Sequence, residues 1–350
     1  MGKRARLFMP RFKLKKIVKQ LCESQAWQHK CEISTLAAET LQEHPVIDGH
    51  TVRLGDDTAA IQTGKGYLLL ATEAVHPPLV EENPYLAGRA AILANVNDIY
   101  AMGGIPSAVV NTIVSPDTDT ATEIFRGLKD GCNRYDIAIV GGHTTATGHS
   151  PAVTVSIVGR AKHILSSFSA QPDDALLHVT NLRGSLHPNF PFWDCSSHLS
   201  DADMRRDLSL LPMIAENGWC DSARDISMAG ILGSTMMLLE LSGVGALIDM
   251  DAVPLPEDVS ERFFDWLISF PSYGFVLSVR PWRVSDVQLA FEKHGINCSS
   301  IGTVTANCNV ILFSKDEETL LWDFDKKPFT GFTSSSEDLR THGFHEALLN

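Results

Sequence analysis

Apolar runs of strand length alternate with stretches of helical periodicity through both halves of the chain, and this alternation restricts the fold more than any single motif. Residues 12–44 carry a helical pattern, and a strand is predicted from Thr51 to Leu54, ending at Gly55-Asp56-Asp57. Gly66–Thr72 reads as a buried strand after a Gly-Lys-Gly turn, with Glu73 at its far end. Pro84 to Met102 follows as a helix, its small and apolar residues recurring at Ala87, Ala90, Ala91, Ala94 and Ile99, and Gly103-Gly104 stops it. A second strand–helix–strand passage covers Ala108–Val114, Thr120–Tyr135 and Ile137–Val140 and ends in Gly141-Gly142-His143-Thr144-Thr145. A further strand is predicted at Ala152–Val158. The second half adds strands at Leu176–Thr180, Ala246–Asp249, Phe275–Val279 and Ile301–Val304. Its helices fall near Asp203–Asn217, Ile226–Leu241 and Val284–His294, with an aromatic-rich loop from Arg183 to Ser197. The pattern predicts an α+β, mixed α/β class and excludes a helical bundle or an all-β sandwich. The expected organisation is a helical segment over 1–48, a first domain over 49–165 and a second over 166–350.

Charge narrows the partners. With 42 acidic against 29 basic residues the net charge is −13, which excludes a chain-wide polyanion-binding surface, so no nucleic acid is expected. The first twenty residues nevertheless hold Lys3, Arg4, Arg6, Arg11, Lys13, Lys15, Lys16 and Lys19 and no acid. Phe12, Leu14, Ile17, Val18 and Leu21 fall near helical spacing, which predicts a docked terminal helix ahead of a transit peptide or membrane-surface helix. The longest uncharged apolar stretch, Ala229 to Leu239, is too short to span a bilayer, so no membrane association is expected. Seven cysteines without a CxxC pair predict reduced thiols in a cytoplasmic protein, each a small buried hydrophobe, and no structural zinc.

Motifs exclude several chemistries. The chain has no GxxxxGK[ST] loop, no GxGxxG opening a helix after a strand, no kinase catalytic loop, no HExxH and no GxSxG. What remains is a set of acids at the ends of predicted elements: Asp56, Asp57, Glu73, Asp98 and Asp225, placed beside glycine-rich or apolar stretches where solvating charges are unusual. Asp98 falls in the last turn of a helix, where the dipole disfavours an anion. Converging carboxylates repel one another and rise in pKa unless a hard cation neutralises them. Magnesium takes a few carboxylates together with phosphate oxygens. Any one of these acids is explained by an N-cap or a turn, Asp56 most easily; the five together point to a magnesium site. Gly103-Gly104 and Gly141-Gly142 would let backbone amides approach a phosphate, although such pairs also stop helices and close turns. His143 is a candidate phosphate donor or base, against the alternative of a buried, satisfied histidine.

Five ordered segments carry a family resemblance: Gly55-Asp-Asp-Thr-Ala-Ala-Ile61, Ala71-Thr-Glu-Ala-Val75, Ala94-Asn-Val-Asn-Asp-Ile-Tyr-Ala-Met-Gly-Gly-Ile-Pro106, Val140-Gly-Gly-His-Thr144, and Asp225-Ile-Ser-Met-Ala-Gly-Ile-Leu-Gly233 followed by Ser242-Gly-Val-Gly-Ala246. In order and spacing the chain resembles the superfamily of aminoimidazole ribonucleotide (AIR) synthase, selenophosphate synthetase, thiamine-monophosphate kinase and the hydrogenase maturation factor that dehydrates a carbamoyl group. The resemblance covers roughly residues 50 to 305, and GGHT looks most like the selenophosphate synthetase branch. It implies a first domain whose strands join those of a second copy in a dimeric β-barrel, a ferredoxin-like α+β second domain, and a homodimer formed through the first. It further implies ATP in a groove between the domains, with magnesium held by aspartates. By position, Asp57 and Asp98 match the family's metal and phosphate-site carboxylates and Asp225 that of its second-domain DxS/DxT motif. Asp56 shares the acidic pair, and Glu73 stands where the family usually has Asp. Gly103, Gly104, Gly141, Gly142 and Thr144 are assigned with Asp57 and Asp98 to the nucleotide, and His143 to catalysis.

Departures from each branch restrict the substrate. Residues 22–50 contain no Cys-Gly-Cys-Lys arrangement of the selenide-activating kind, Met228 and the Tyr273 region lack acids of the thiamine-monophosphate kinase pattern, and the chain ends Ala347-Leu-Leu-Asn350 without a cysteine tail. The expected function is an ATP- and magnesium-dependent phosphotransferase or ligase-like enzyme that activates a small-molecule oxygen. The missing acids motivate an alternative, a non-catalytic nucleotide-binding subunit. A metal hydrolase using His143, His149 and nearby carboxylates is a third.

Overall fold

The computed structural model describes residues 13–40, 44–148, 150–315 and 317–332. The cluster Lys3, Arg4, Arg6 and Arg11 lies outside them, as does His149. The helical stretch expected over 12–44 is two helices, α1 (Leu14–Glu23) and α2 (Gln25–Thr40). Ser24 divides them: its backbone is extended, and its hydroxyl donates to the Leu21 carbonyl and accepts from the Trp27 amide. One side chain thus closes α1 and caps α2. Leu14, Ile17 and Leu21 form the buried face of α1, which docks on the last two strands of the second domain.

In the first domain a small hairpin, β1 (Val46–Ile47) and β2 (His50–Thr51), precedes the main sheet. The strand predicted over Thr51–Leu54 stops at Thr51; the Val52 amide donates to the Pro45 carbonyl, and the chain then turns through Gly55. There follow β3 (Ala59–Thr63), β4 (Gly66–Ala74), α3 (Pro77–Glu82), α4 (Pro84–Ala101), β5 (Ile105–Val114), α5 (Thr118–Tyr135), β6 (Ala138–Thr145) and β7 (Ala152–Ala161). The strands form one open sheet in the order β3-β4-β7-β5-β6, parallel only between β5 and β6. Among the described residues of the single chain these strands do not close into a barrel. Helices α4 and α5 pack on one face, where Ile92, Val96, Ile99, Leu128, Val155 and Ile157 are buried. They approach backbone to backbone: a Cβ on Gly127 would lie 2.0 Å from the Tyr85 carbonyl oxygen. Among the described residues no helix packs on the other face, where Leu70, Val110 and Val140 are exposed.

The second domain runs β8 (Ala175–Thr180), β9 (Ser185–Leu186), β10 (Phe192–Asp194), α6 (Asp201–Leu208), α7 (Leu210–Glu216), β11 (Ser222–Asp225), α8 (Gly230–Ser242) and β12 (Gly245–Asp249). It continues through α9 (Phe263–Ile268), β13 (Phe270–Pro271), β14 (Gly274–Val279), α10 (Val284–Glu292), β15 (Asn297–Thr305), β16 (Asn309–Ser314) and β17 (Glu317–Asp323). Seven strands pair in the order β11-β14-β8-β15-β12-β16-β17. A ferredoxin-like core needs four; here β14-β8-β15-β12 are the central antiparallel four, extended by β11 on one edge and β16–β17 on the other. Neighbouring side chains of β8 point into different cores: Leu176 joins α8, and Leu177 joins Val287 and Phe291 of α10. Helix α8 starts at Gly230 instead of near Ile226 because Ala229 and Gly230 both adopt positive φ in the preceding turn. Within the Arg183–Ser197 loop, β9 and β10 pair, β10 also pairs with β13, and Asn189 Nδ2 donates to Glu82 Oε1 of α3 in the first domain (2.9 Å).

Candidate functional site

A tight turn begins the site. Gly55 has φ +116°, its would-be Cβ lies 2.7 Å from Phe332 Cβ and 2.8 Å from Leu241 Cδ2, and its carbonyl accepts from Arg224 Nη1. No other residue type fits there without displacing neighbours. The turn sends its two aspartates in different directions. Asp56 accepts from the Ser166 hydroxyl (2.6 Å) and the Ser167 amide, so both of its oxygens tie the loop to the chain entering the second domain. Asp57 turns inward, where Oδ1 pairs with Arg224 Nη2 at 3.1 Å and Oδ2 accepts the Asp225 amide at 3.0 Å.

Asp98 reaches the same place from the last turn of α4, Asp225 from the end of β11 and Glu73 from the end of β4. Asp98 is 7% exposed, and its Oδ2 is buried without a hydrogen-bond partner among the described residues. Burial, then the charges of Asp225, Glu73 and Asp57, hold its carboxyl well above the usual range, with Arg224 opposing. Burial likewise lifts Asp57, against Arg224 and with help from Asp225 and Asp56. Asp225 is raised by burial against the pull of Arg224 and Lys30. The surface of Glu73 is exposed, yet protein packed around its carboxylate strips enough water that lost hydration, followed by the Asp225 charge, raises it too.

Two cations that the sequence patterns did not single out enter this cluster. Arg224 sits at its centre, with Nη1 also donating to Ser167 Oγ. Lys30 arrives from α2, donating from Nζ to Ser227 Oγ at 3.3 Å. Burial, then Arg224, lowers its ammonium pKa, while Asp225, Glu73 and Asp57 favour the charge. A lysine on a helix almost two hundred positions from Ser227 gives no local signal of this placement. Four carboxylates (Asp57, Glu73, Asp98, Asp225) against two cations (Lys30, Arg224) leave two excess negative charges when all are ionised. Either protons or a bound cation must compensate them.

Among the described residues no three His, Cys, Asp or Glu side chains stand together closely enough to enclose a metal ion. The donors are nonetheless hard oxygens, and Asp98 Oδ2 lacks a partner. Magnesium bound through phosphate oxygens needs only one or two carboxylates, and the residues present fit that mode rather than an all-protein cage.

The glycine pairs stand apart from the acids in how their backbone is used. The Gly103 and Gly104 amides donate to the Tyr100 and Ile99 carbonyls, so both are spent in closing α4. Gly141, Gly142, His143 and Thr144, expected at a turn after a strand, lie within β6, paired in parallel with Val110, Asn111, Thr112 and Ile113. Because β6 is an edge strand, the backbone groups it offers lie along a sheet edge and not in a loop. His143 is exposed, with Nε2 3.2 Å from Thr145 Oγ1, and shares the helix-free face with Thr112.

Comparison with known proteins matches residues 55–161 to the family model "AIR synthase related protein, N-terminal domain" and residues 177–315 to "AIR synthase related protein, C-terminal domain". An uncharacterized protein of Synechocystis sp. is 43% identical over 309 residues, which is 88% of this chain and 95% of that one. A selenide, water dikinase of Aeromonas salmonicida is 26% identical over 293 residues, 76% of this chain and 83% of the relative. Among solved structures, Thermotoga maritima PurL complexed with ATP superposes with a TM-score of 0.69 at 17% identity, over 91% of this chain. This chain spans about half (55%) of that PurL chain. The likeness to PurL is one of fold.

Proposed function

The chain belongs to the AIR synthase related family, and from that premise we propose that it binds ATP with magnesium at the acidic cluster and phosphorylates an oxygen of a small molecule. One observation carries the reading: four carboxylates from both domains face only two cations, with Asp98 Oδ2 buried and unpartnered among them. The ATP-bound PurL of the same fold and the similarity to a selenide, water dikinase support the choice of ATP as the ligand.

Asp57, Glu73, Asp98 and Asp225 are the residues to hold magnesium. Bound there, the ion would supply positive charge against the phosphate oxygens. Arg224 fixes Asp57 through their ion pair, and the Asp225 amide fixes its second oxygen, so Asp57 is oriented before any ligand arrives. Lys30 brings a positive charge from α2 to the side of the cluster lined by Ser227. Catalysis in such a site comes from positioning and charge neutralisation, without a protein nucleophile. Gly141, Gly142, His143 and Thr144 contribute, in this reading, from the β6 edge, with His143 as phosphate contact or base. Gly103 and Gly104 act by ending α4 so that Asp98 stands in its last turn.

Three further assignments belong to the same proposal. The domains divide at 1–48, 49–165 and 166–350. The helix-free face of the first sheet pairs with that of a second copy, the two sheets together forming the β-barrel of a homodimer. The protein works in the cytoplasm; among the described residues no helix is long and apolar enough to cross a membrane.

Calorimetric titration with a non-hydrolysable ATP analogue, with and without magnesium, tests the site. Magnesium-dependent binding by the wild type that is lost in Asp98→Asn is the expected result, and a screen for ATP consumption then identifies the acceptor. The non-catalytic reading rests on Lys30 already offsetting part of the charge and on the absence of three close ligands among the described residues. Tight nucleotide binding without consumption of ATP over a broad acceptor screen would establish it instead.

A further inference from the structure

Three consecutive residues at the end of α8 each hold a different part of the chain beside the acidic cluster. Ser242 Oγ donates to the Ser167 carbonyl at 2.6 Å and accepts the Ala170 amide, next to the serines that bind Asp56. Leu241 and Phe332 close on Gly55, whose would-be Cβ lies 2.8 Å from Leu241 Cδ2 and 2.7 Å from Phe332 Cβ. Glu240, only 2% exposed, gathers the segment after β17. Its Oε1 accepts the Phe329 amide (2.6 Å) and the Gly331 amide (3.2 Å), and its Oε2 accepts the Thr330 amide (2.7 Å) and hydroxyl (2.6 Å). A buried carboxylate is costly unless its charge is met, and three successive amides with a hydroxyl meet it here.

The strap held in this way, residues 329–332, touches two of the elements that bring charge into the cluster. On one side a Cβ on Gly331 would lie 3.1 Å from Ser34 Cα and 3.3 Å from Ala37 Cβ of α2. Ser34 and Ala37 follow Lys30 at i+4 and i+7, so all three share one face of that helix. On the other side Phe332 abuts the Gly55 turn that carries Asp57. Gly331 has φ +81°, a backbone conformation that glycine adopts without strain.

We infer that Glu240 is a positioning residue for the magnesium–nucleotide site: by clamping the 329–331 backbone it holds the strap between α2 and the Gly55 turn, and so keeps Lys30 and Asp57 in place beside Asp98 and Asp225. The inference rests on the proposed binding of ATP and magnesium at that cluster. Glutamine at position 240 has the same size but only one accepting oxygen, and its NH2 group would face donors. Glu240→Gln therefore loosens the clamp without emptying the core.

The test uses the full chain and two measurements. Hydrogen exchange followed by NMR, without nucleotide, reads the amides of Phe329, Thr330 and Gly331, and that of Asp225, which donates to Asp57 Oδ2. Glu240→Gln should speed exchange at all four by at least about tenfold. Titration with magnesium and a non-hydrolysable ATP analogue should show affinity weakened by about tenfold or more in the same variant. Gly331→Ala keeps the carboxylate but drives a methyl toward Ser34; it should reproduce both changes, and it carries the test if Glu240→Gln does not fold. Val287→Ala, which thins the core beneath α10, controls for lost stability and should leave Asp225 exchange and nucleotide affinity at their wild-type values. Faster exchange in the strap with wild-type exchange at Asp225, or wild-type affinity in both strap variants, would overturn the assignment. If the wild type itself binds no nucleotide, the proposed function falls, and exchange at Asp225 alone decides whether Glu240 positions Asp57.

Discussion

Strand β14 of the second sheet is buried at all six of its residues, whereas β6 of the first is exposed at six of its eight. Both strands read as short apolar runs, and both sit in sheets flanked by helices. The difference lies in how many faces are covered. The second sheet is packed between α8 and α10, and its central strands read Ala-Leu-Leu-His-Val-Thr and Gly-Phe-Val-Leu-Ser-Val, nearly continuous in apolar character. The first sheet receives α4 and α5 on one side, and its strands alternate apolar residues with Thr72, Thr112, Thr154 and Ser156. Continuous runs suit sheets covered twice and alternation suits sheets covered once. The half-covered sheet still exposes Leu70, Val110 and Val140.

Substitution inside each sheet gives the largest contrast. Phe275→Ala empties a fully buried position of β14 and should cost about 3–5 kcal/mol, read by urea denaturation. Leu70→Ala, on the uncovered face of β4, should stay within about 0.5 kcal/mol for the isolated chain. Comparable losses at the two positions would mean that the first sheet is covered as fully as the second.

Association sharpens the same contrast. Val140→Asp places a charge on the uncovered face, where Val140 is 66% exposed, so the monomer should fold unchanged. If this face is the contact between copies, the substitution should weaken self-association at least about 100-fold, as for a charge set into the centre of an interface, read by sedimentation equilibrium. Wild-type protein that sediments as a monomer at every concentration would remove the second copy as the occupant of this face.

The acids lie where the ends of the two sheets meet, and pH tests that seam. Asp57 and Asp98 have folded pKa values well above ordinary. Between the unfolded value and the raised folded one, the native state binds more protons than the unfolded state, so stability falls as pH rises through that window. The ligand-free protein should accordingly be most stable at the acid end of the window and lose stability above it. Asp98→Asn should flatten the profile and gain roughly 1 kcal/mol at neutral pH, measured by thermal unfolding across pH. A wild-type profile that rises with pH through this window would show that Arg224 and Lys30 already compensate the cluster.

Much of this seam was legible in the residues. Asp57, Glu73, Asp98 and Asp225 announced themselves by standing at element ends beside glycine or apolar runs, and Gly103 ends α4 as its position implied. Asp56, the acid most easily explained as a turn residue, spends both oxygens on Ser166 and Ser167, a pairing across 110 positions that no local pattern encodes. Lys30 and Arg224 escaped for the same reason: their role depends on α2 and β11 converging on loops from the other domain. The second glycine pair, expected at a turn, lies within β6, because glycine marks both turns and close strand contacts. A Cβ on Gly142 would lie 2.8 Å from Asn111 atoms, so the requirement is lateral packing between β5 and β6.

The smallest effect belongs to His143. Its ring is exposed on the uncovered face, with Nε2 3.2 Å from Thr145 Oγ1 two residues away. Removing it empties no core and leaves no buried group unsatisfied, so His143→Ala should alter stability by less than about 0.5 kcal/mol. Any loss of nucleotide affinity in this variant must then come from a lost ligand contact, and calorimetry on wild type and His143→Ala reads it directly. The position of the ring gives that result a second use. His143 shares its face with Thr112 and Val110, so a contact that depends on two copies being joined there should vanish in Val140→Asp as well. A loss in His143→Ala that the Val140→Asp monomer reproduces, with no further loss in the double variant, would tie the β6 edge to the nucleotide through the dimer. Additive losses would make His143 a contact within its own chain, and no loss would leave the acidic cluster as the whole of the site.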